Sequence, residues 1–291
     1  RPVSSSARPS AASAPGASPV KPHGYGARLG RRLGGAVVFL GVGILVSWWT
    51  VFTPGGQAVD SVLMDAVTSW SRVVAPVKGV VTGLVSVPAM VVVAVVVAAV
   101  AALRRRVTLA GRAVGVVLGA NLSTQLLKTV LERPDLGVTL PLSNSLPSGH
   151  TTFAASVACA LVIVAPAWLR TPAAWMGWVW TSLMGVIVMV AAWHRPSDVL
   201  TAVLVCGVWA LVLAPVEHRA RHGASAQRLM ALAALVLVAL GVLGCVIGVV
   251  GVDLVGVADA GHAAFLATSP WRQRLLALAA ACLVPGVVGV V

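Results

Sequence analysis

The sequence predicts an all-α protein, a polytopic transmembrane helical bundle, and two observations carry this prediction. Hydrophobic residues make up 58% of the 291 residues and charged residues only 10%, whereas a soluble domain is about one quarter charged. The apolar residues also occur in long uninterrupted runs, and a helix needs roughly 20 such residues to cross a bilayer. The chain therefore belongs to the class of integral membrane proteins.

Eight apolar runs are candidate spans. We expect six core spans and two further C-terminal spans, the last of which is short and contains Pro285. In chain order the expected spans are 34–53, 80–103, 113–131, 151–169, 174–193, 198–216, 229–250 and 275–291. No soluble domain separates them.

The spans divide the chain into three parts. Residues 1–32 are rich in Ser, Pro, Ala and Gly and contain cations but no acid, so they cannot bury enough apolar surface to fold. We expect them to form a disordered basic cytoplasmic tail. Residues 33–216 form the six-span core, and residues 217–291 form a C-terminal extension with one or two spans.

The arginines predict the orientation of these spans. They precede the first span and lie between the second and third, the fourth and fifth, and the sixth and seventh. These arginines are Arg28, Arg31, Arg32, Arg104, Arg105, Arg106, Arg112, Arg170, Arg219, Arg221 and Arg228. Cytoplasmic loops carry such an excess of cations, so we expect a plasma-membrane protein with a cytoplasmic N-terminus.

The same distribution explains the net charge of +13. Cations beside apolar runs indicate topology signals and contacts with anionic membrane lipids. The sequence contains no nucleic-acid-binding module, and it does not indicate an oligomeric state.

The loop 54–79 has apolar residues at helical spacing, with Asp60 and Asp65 between them. The plain interpretation is an amphipathic helix that lies in the membrane interface. The alternative is a helix that covers a functional site.

Three polar clusters lie on the side of the spans opposite the arginines. They are NLSTQLLKTVLERPDLG (121–137), NSLPSGHTT (144–152) and WHRPSDVL (193–200). Each has an ordinary explanation: a lysine that reaches the interface, a helix N-cap, or an interfacial turn with a tryptophan. Together, however, they bring cations, two histidines, a carboxylate and a helix N-terminus to one membrane face. This combination predicts a site for an anion such as phosphate.

The clusters resemble the motifs of the type 2 phosphatidic acid phosphatase superfamily, which shares its site with vanadium haloperoxidases. That family carries K-x6-R-P, then P-S-G-H, then S-R-x5-H-x3-D. Residues 147–150 read PSGH, and His194 and Asp198 have the H-x3-D spacing. The resemblance covers the chain from about 113 to 216.

The resemblance implies a membrane phosphatase that removes phosphate from a lipid phosphate or pyrophosphate through a phosphohistidine, without metal or cofactor. His194 would be the nucleophile, Asp198 would orient it, and His150 would act as the general acid and base. The implied phosphate-binding groups are Lys128, Arg133, Ser148 and the Gly149 N–H. The reaction would take place at the extracytoplasmic face.

Two departures from the family pattern affect the phosphate-binding residues. A six-residue spacer after Lys128 reaches Asp135, whereas the Arg-Pro pair begins at Arg133. We predict that Arg133 is the functional residue, because an aspartate does not bind phosphate oxygens. In the third motif, the expected Ser-Arg pair falls on Ile187 and Val188.

Arg195, next to the expected nucleophile, is the candidate to compensate for the missing arginine. These departures leave one alternative open. The chain would then be a catalytically degenerate membrane protein that binds lipid phosphate.

Overall fold

The computed structural model describes residues 25–83, 107–138, 144–215 and 224–291, together with Val92, Val95, Val96 and Ala99. Over these residues the chain is α-helical, with one short 3-10 helix at Gly256–Ala260 and no strand. The helices are α1 (Tyr25–Phe52), α2 (Pro54–Thr68), α3 (Ser71–Gly83), α4 (Val107–Val130), α5 (Gly149–Val164), α6 (Ala167–Val190), α7 (Pro196–Leu213), α8 (Ala224–Val249), α9 (His262–Thr268) and α10 (Pro270–Val290).

Among the described helices, α1, α4, α6, α7, α8 and α10 are long and apolar enough to cross a membrane. The predicted all-α polytopic bundle is confirmed, and the last C-terminal run is one of these six helices. The predicted span 80–103 lies mostly outside the described residues, which include 80–83 and four further positions of it. Helix α1 begins at Tyr25, so residues 25–32 of the expected tail are helical. Residues 1–24 lie outside the description.

One predicted span boundary is wrong. The run 151–169 is divided, because α5 ends at Val164 and α6 begins at Ala167. Proline disfavours helical geometry in the residue before it, and Ala165, which precedes Pro166, has an extended ψ of 141°. Helix α5 therefore has only 16 residues.

The polar face of helix α2 packs inside the bundle, where the interfacial interpretation of its amphipathic pattern predicted contact with water. Thr53 caps it by accepting a hydrogen bond from the Gly56 N–H at 3.1 Å. Its polar residues Gln57 and Asp60 are 1% and 2% exposed, and the helix packs against α1, α6, α7, α9 and α10. The same amphipathic pattern is expected for a helix whose polar face meets water and for a helix whose polar face meets buried polar groups, so the pattern does not distinguish the two.

The C-terminal helices α8 and α10 form an antiparallel pair with a very close approach. Gly241, Gly244 and Gly248 of α8 face Leu283, Ala279 and Leu276 of α10, where an added Cβ would lie within 3 Å of a neighbour. Small residues allow helix backbones to approach in membranes. Helix α10 also contacts α2, α6 and α7, so the extension packs on the core.

Gly119 of α4 provides a test of this packing. A Cβ there would lie 2.6 Å from the Trp209 ring, whereas a Cβ at Gly111 of the same helix would meet nothing within 4 Å. We expect Gly119→Ala to cost about 1–3 kcal/mol through overpacking. Gly111→Ala is the control, and it should be neutral or stabilising because alanine favours helix. The check is the thermal midpoint in detergent; equal midpoints for the two variants would contradict the packing described.

Candidate functional site

The three polar clusters meet at one end of the bundle. The Ser148 N–H donates to the Asp198 carbonyl oxygen at 2.9 Å, which joins the start of α5 to the start of α7. A Cβ at Gly149 would lie 3.9 Å from Lys128 Nζ, at the end of α4. The segments predicted to form a site are therefore adjacent, although the roles of their residues stay predictions.

The C-terminus of α6 determines where His194 lies. Ala192 takes a left-handed conformation with φ of 57°, and its N–H donates to Met189 O at 2.9 Å. The Trp193 N–H donates to Val188 O at 3.0 Å, which completes a Schellman motif. A left-handed non-glycine residue costs roughly 1–2 kcal/mol. The reversal turns the chain immediately before the histidine.

His194 and Asp198 are in contact. His194 Nδ1 lies 3.3 Å from Asp198 Oδ2, and the same oxygen accepts hydrogen bonds from Ser145 Oγ at 2.6 Å and from the Arg195 N–H at 2.9 Å. Asp198 is fully buried and His194 is 8% exposed. The carboxylate therefore fixes the orientation of the imidazole, and Nε2 is the nitrogen that remains for chemistry.

His150 lies across from His194. The two ring centroids are 6.4 Å apart, and His150 also packs against the Trp193 ring at 5.5 Å. The structure therefore brings the histidines of the second and third clusters together.

The N-terminus of α5 supplies donors to the same region. Ser148 is buried, and its Oγ accepts from the Thr151 N–H at 3.3 Å and from Thr151 Oγ1 at 3.0 Å, so its own proton remains to be donated. The N–H of Gly149, in the first turn, has no earlier helical carbonyl to bind. Such N–H groups favour anions, and the nearby Lys128 ammonium adds a full positive charge.

The Arg133 side chain is buried. Its side chain is 3% exposed, and its Nη2 lies 3.5 Å from Asp60 Oδ2. Its Nε and Nη1 are buried without a hydrogen-bond partner. Asp135, by contrast, is exposed, and its Oδ1 accepts from the Gly137 N–H at 2.9 Å in a local turn. The structure thus places the Arg133 side chain inside the bundle and Asp135 at its surface, and the choice between them as the phosphate-binding residue stays a prediction.

Arg195 is also buried, at 2% exposure, and its Nε has no hydrogen-bond partner. Burial lowers the pKa of Arg195 first, and the neighbouring Arg133 guanidinium lowers it further; the group remains a cation. Ile187 and Val188, where the family pattern expects Ser and Arg, are 1% and 0% exposed in the apolar core. The two buried arginines are therefore close enough to influence each other.

The residues that sequence reasoning missed are those that support the site. Asn144 Nδ2 donates to Leu131 O at 2.7 Å and so links the first cluster to the second. Gln57 Nε2 donates to Pro134 O at 3.0 Å, so α2 supports the turn that follows Arg133. One signal was present in the sequence: Gln57, Asp60 and Ser61 have the i, i+3, i+4 spacing of a polar helix face.

Asp60 is the charged residue on this polar face of α2. The pKa of Asp60 is raised to about 6, first by burial and then by the negative charge of Asp198, whereas hydrogen bonds from Ser197 and the charge of Arg133 oppose the shift. Asp60 and Asp198 are the two buried carboxylates that accompany the buried arginines.

Comparison with known proteins gives one match. The profile of the PAP2 superfamily matches residues 110–222, a segment that begins in α4 and includes all three polar clusters. No curated protein and no solved structure matches the chain significantly.

Vanadate, a mimic of phosphate, tests whether the two arginines bind an anion. A ligand at a hundred times its Kd stabilises a protein by about 2.7 kcal/mol, so vanadate should raise the thermal midpoint of the parent. Loss of one partner of a charged pair costs about 2–5 kcal/mol. Arg133→Ala and Arg195→Ala should therefore weaken vanadate binding by on the order of tenfold to a thousandfold.

The control for this measurement is Asp135→Ala, which removes an exposed charge two residues from Arg133 and should leave the affinity nearly unchanged. If only Arg195→Ala binds vanadate normally, the site uses one arginine. Normal binding by both arginine variants would contradict the anion site.

Proposed function

We propose that this chain, a member of the PAP2 superfamily through its residues 110–222, is a metal-independent lipid phosphate phosphatase. Its substrate is a lipid phosphate or pyrophosphate, because the chain is a membrane protein and the polar site lies at the end of its apolar helices. The observation that carries the proposal is the contact between His194 and Asp198, together with the His150 ring, whose centroid lies 6.4 Å from the centroid of the His194 ring.

In the proposed first step, His194 Nε2 attacks phosphorus and the bond from phosphorus to the leaving oxygen breaks. His150 gives its proton to that oxygen, so the leaving group departs protonated, as a lipid alcohol or as a lipid phosphate. The Nδ1–H of His194 donates a hydrogen bond to Asp198 and keeps its proton. The carboxylate stabilises the positive charge that develops on the ring. The product on the protein is a phosphohistidine.

In the second step, water attacks the phosphohistidine. His150, now unprotonated, takes a proton from the water, and the bond from phosphorus to His194 breaks. Inorganic phosphate is released and both histidines return to their starting states. The same side chain thus acts as acid and then as base.

Charge on the transferring phosphoryl oxygens needs donors that are already in position. In this proposal Lys128, Ser148 and the Gly149 N–H supply donors from the ends of α4 and α5. Arg133 and Arg195 supply buried guanidinium groups whose free N–H groups are otherwise unsatisfied. A phosphate dianion satisfies these donors and offsets the positive charge of the site.

A catalytically degenerate binder of lipid phosphate is the second candidate. The specific observation in its favour is that Val188, at the family's third-motif arginine position, is an apolar core residue. Phosphate release from a lipid phosphate in the absence of divalent metal separates the two candidates, because a binder releases none.

Replacement of the nucleophile gives the most direct test. We expect His194→Ala to reduce phosphate release to background, because it removes the proposed nucleophile. His150→Ala should be severe for poor leaving groups and milder for good ones, which need less protonation. Purified variants are assayed against a panel of lipid phosphates and pyrophosphates, with unchanged thermal midpoints as the folding control. Normal turnover by His194→Ala would exclude this mechanism.

The proposed reaction occurs at the extracytoplasmic face of the plasma membrane, with the N-terminus in the cytoplasm. The test uses single cysteines in a background lacking Cys159, Cys206, Cys245 and Cys282. Glu132→Cys, near the site, should react with an impermeant thiol reagent in intact cells. Ser225→Cys, at the start of α8 beside the basic segment, should react only after lysis. The reverse pattern would overturn this orientation.

A further inference from the structure

Asp60 of α2 lies outside the three sequence motifs, yet its side chain joins two of them. It accepts hydrogen bonds from the Ser197 N–H at 3.0 Å and from Ser197 Oγ, both in the first turn of α7. Its Oδ2 also lies 3.5 Å from Arg133 Nη2. One carboxylate therefore contacts both the turn after α4 and the helix that carries Asp198.

This arrangement constrains the Arg133 guanidinium. The group has three nitrogens, and only Nη2 has a partner, Asp60. The other two, Nε and Nη1, are buried and unpartnered. A buried donor without a partner costs free energy. An anion that accepts hydrogen bonds from Nε and Nη1 would remove this cost and bind more tightly as a result.

Helix α2 is held beside this arginine independently of Asp60. Gln57 Nε2 donates to Val51 O at 2.7 Å and to Pro134 O at 3.0 Å. The neighbouring helix face belongs to the apolar core through Ala58, Val62 and Leu63. The carboxylate is thus carried on a packed element, which is the condition for a side chain to position another precisely placed group.

We propose that Asp60 is a positioning residue for the phosphate-binding Arg133. By contacting Nη2, it orients the guanidinium group while the Nε and Nη1 N–H groups remain to be donated to the anion, and through Ser197 it holds this group relative to the start of α7. The inference rests on the proposed function for the identity of the anion. It adds a fourth segment, α2, to a site that the motifs build from three.

A purely structural role for Asp60 is the competing explanation, since the residue also bonds to Ser197. Asp60→Asn distinguishes the two because it keeps the size of the side chain and an acceptor for Ser197, but removes the charge that attracts Arg133. We expect Asp60→Asn to weaken vanadate inhibition and raise KM by about tenfold, the size of a typical coupling between contacting residues. The value of kcat should fall less.

A double-mutant cycle with Arg133→Ala makes the test sharper. If Asp60 acts through Arg133, the double variant binds vanadate no more weakly than Arg133→Ala alone. If Asp60 has a separate structural role, the two losses multiply, and the proposal is overturned. An unchanged vanadate affinity in Asp60→Asn also overturns it.

Two control variants isolate the contact. Asp135→Asn removes an exposed carboxylate two residues from Arg133, one whose Oδ1 accepts from the Gly137 N–H, and it should leave vanadate affinity within about twofold of the parent. Ser197→Ala removes the hydroxyl hydrogen bond to Asp60 and keeps the one from the Ser197 N–H. This variant should lower the thermal midpoint and change the affinity for vanadate less than Asp60→Asn does. If Asp60→Asn is not recovered folded, Asp60→Ser takes its place in the same cycle.

The readouts also separate this inference from the proposed function. Vanadate binding, followed by thermal shift, requires no turnover. A parent protein that binds vanadate but hydrolyses no lipid phosphate contradicts the phosphatase, while the cycle still decides the role of Asp60. A parent that hydrolyses lipid phosphate, with additive losses in the cycle, contradicts only the role of Asp60.

Discussion

The first turn of α7 is surrounded by hydrogen bonds to two buried carboxylates. Asp198 accepts from Ser145 and from the Arg195 N–H, and Asp60 accepts from Ser197. A buried charge is costly unless donors compensate for it. The donors come from the loop before α5 and from the α6–α7 junction, and Asp60 itself comes from α2. The two carboxylates are buried together with their donors because these segments pack against one another. The same packing holds His194 against Asp198.

The site has more cationic than anionic side chains. Lys128, Arg133 and Arg195 are cations, whereas Asp60 and Asp198 are the buried carboxylates. The charge of Arg133 lowers the pKa of Arg195, as expected for like charges in a medium of low dielectric constant. In the proposed function, a bound phosphate offsets this excess of positive charge. Donors fixed in advance need no reorganisation when charge develops on a bound group.

The parts of the site that the sequence predicted are those encoded by local spacing. His194 and Asp198 are four residues apart at a helix start, and Ser148 with its neighbours forms a helix cap. Both arrangements follow from backbone geometry, so the motif alone indicates them. The all-α bundle was predictable for a similar reason, since runs of apolar residues report span length directly.

The remaining parts depend on contacts between distant segments. Asp60 and Ser197 are 137 residues apart, and nothing in the sequence around Asp60 indicates that contact. The amphipathic pattern of α2 gives the orientation of its two faces but does not identify what lies against the polar one. Arg195 illustrates the same limit: its position in sequence was known, but its burial beside Arg133 follows from the packing of α2 and α7.

The contact between α2 and α10 bears on how the protein is made. Helix α2 lies near the start of the chain and α10 lies at the end of the described residues, yet Val62 and Leu63 share an apolar cluster with Leu276 and Ala280. A chain inserted into the membrane as it is synthesised presents α2 long before α10. Until α10 has been made, the face of α2 that packs on it lacks this neighbour. The site acquires this part of its surroundings only when α10 has joined the bundle.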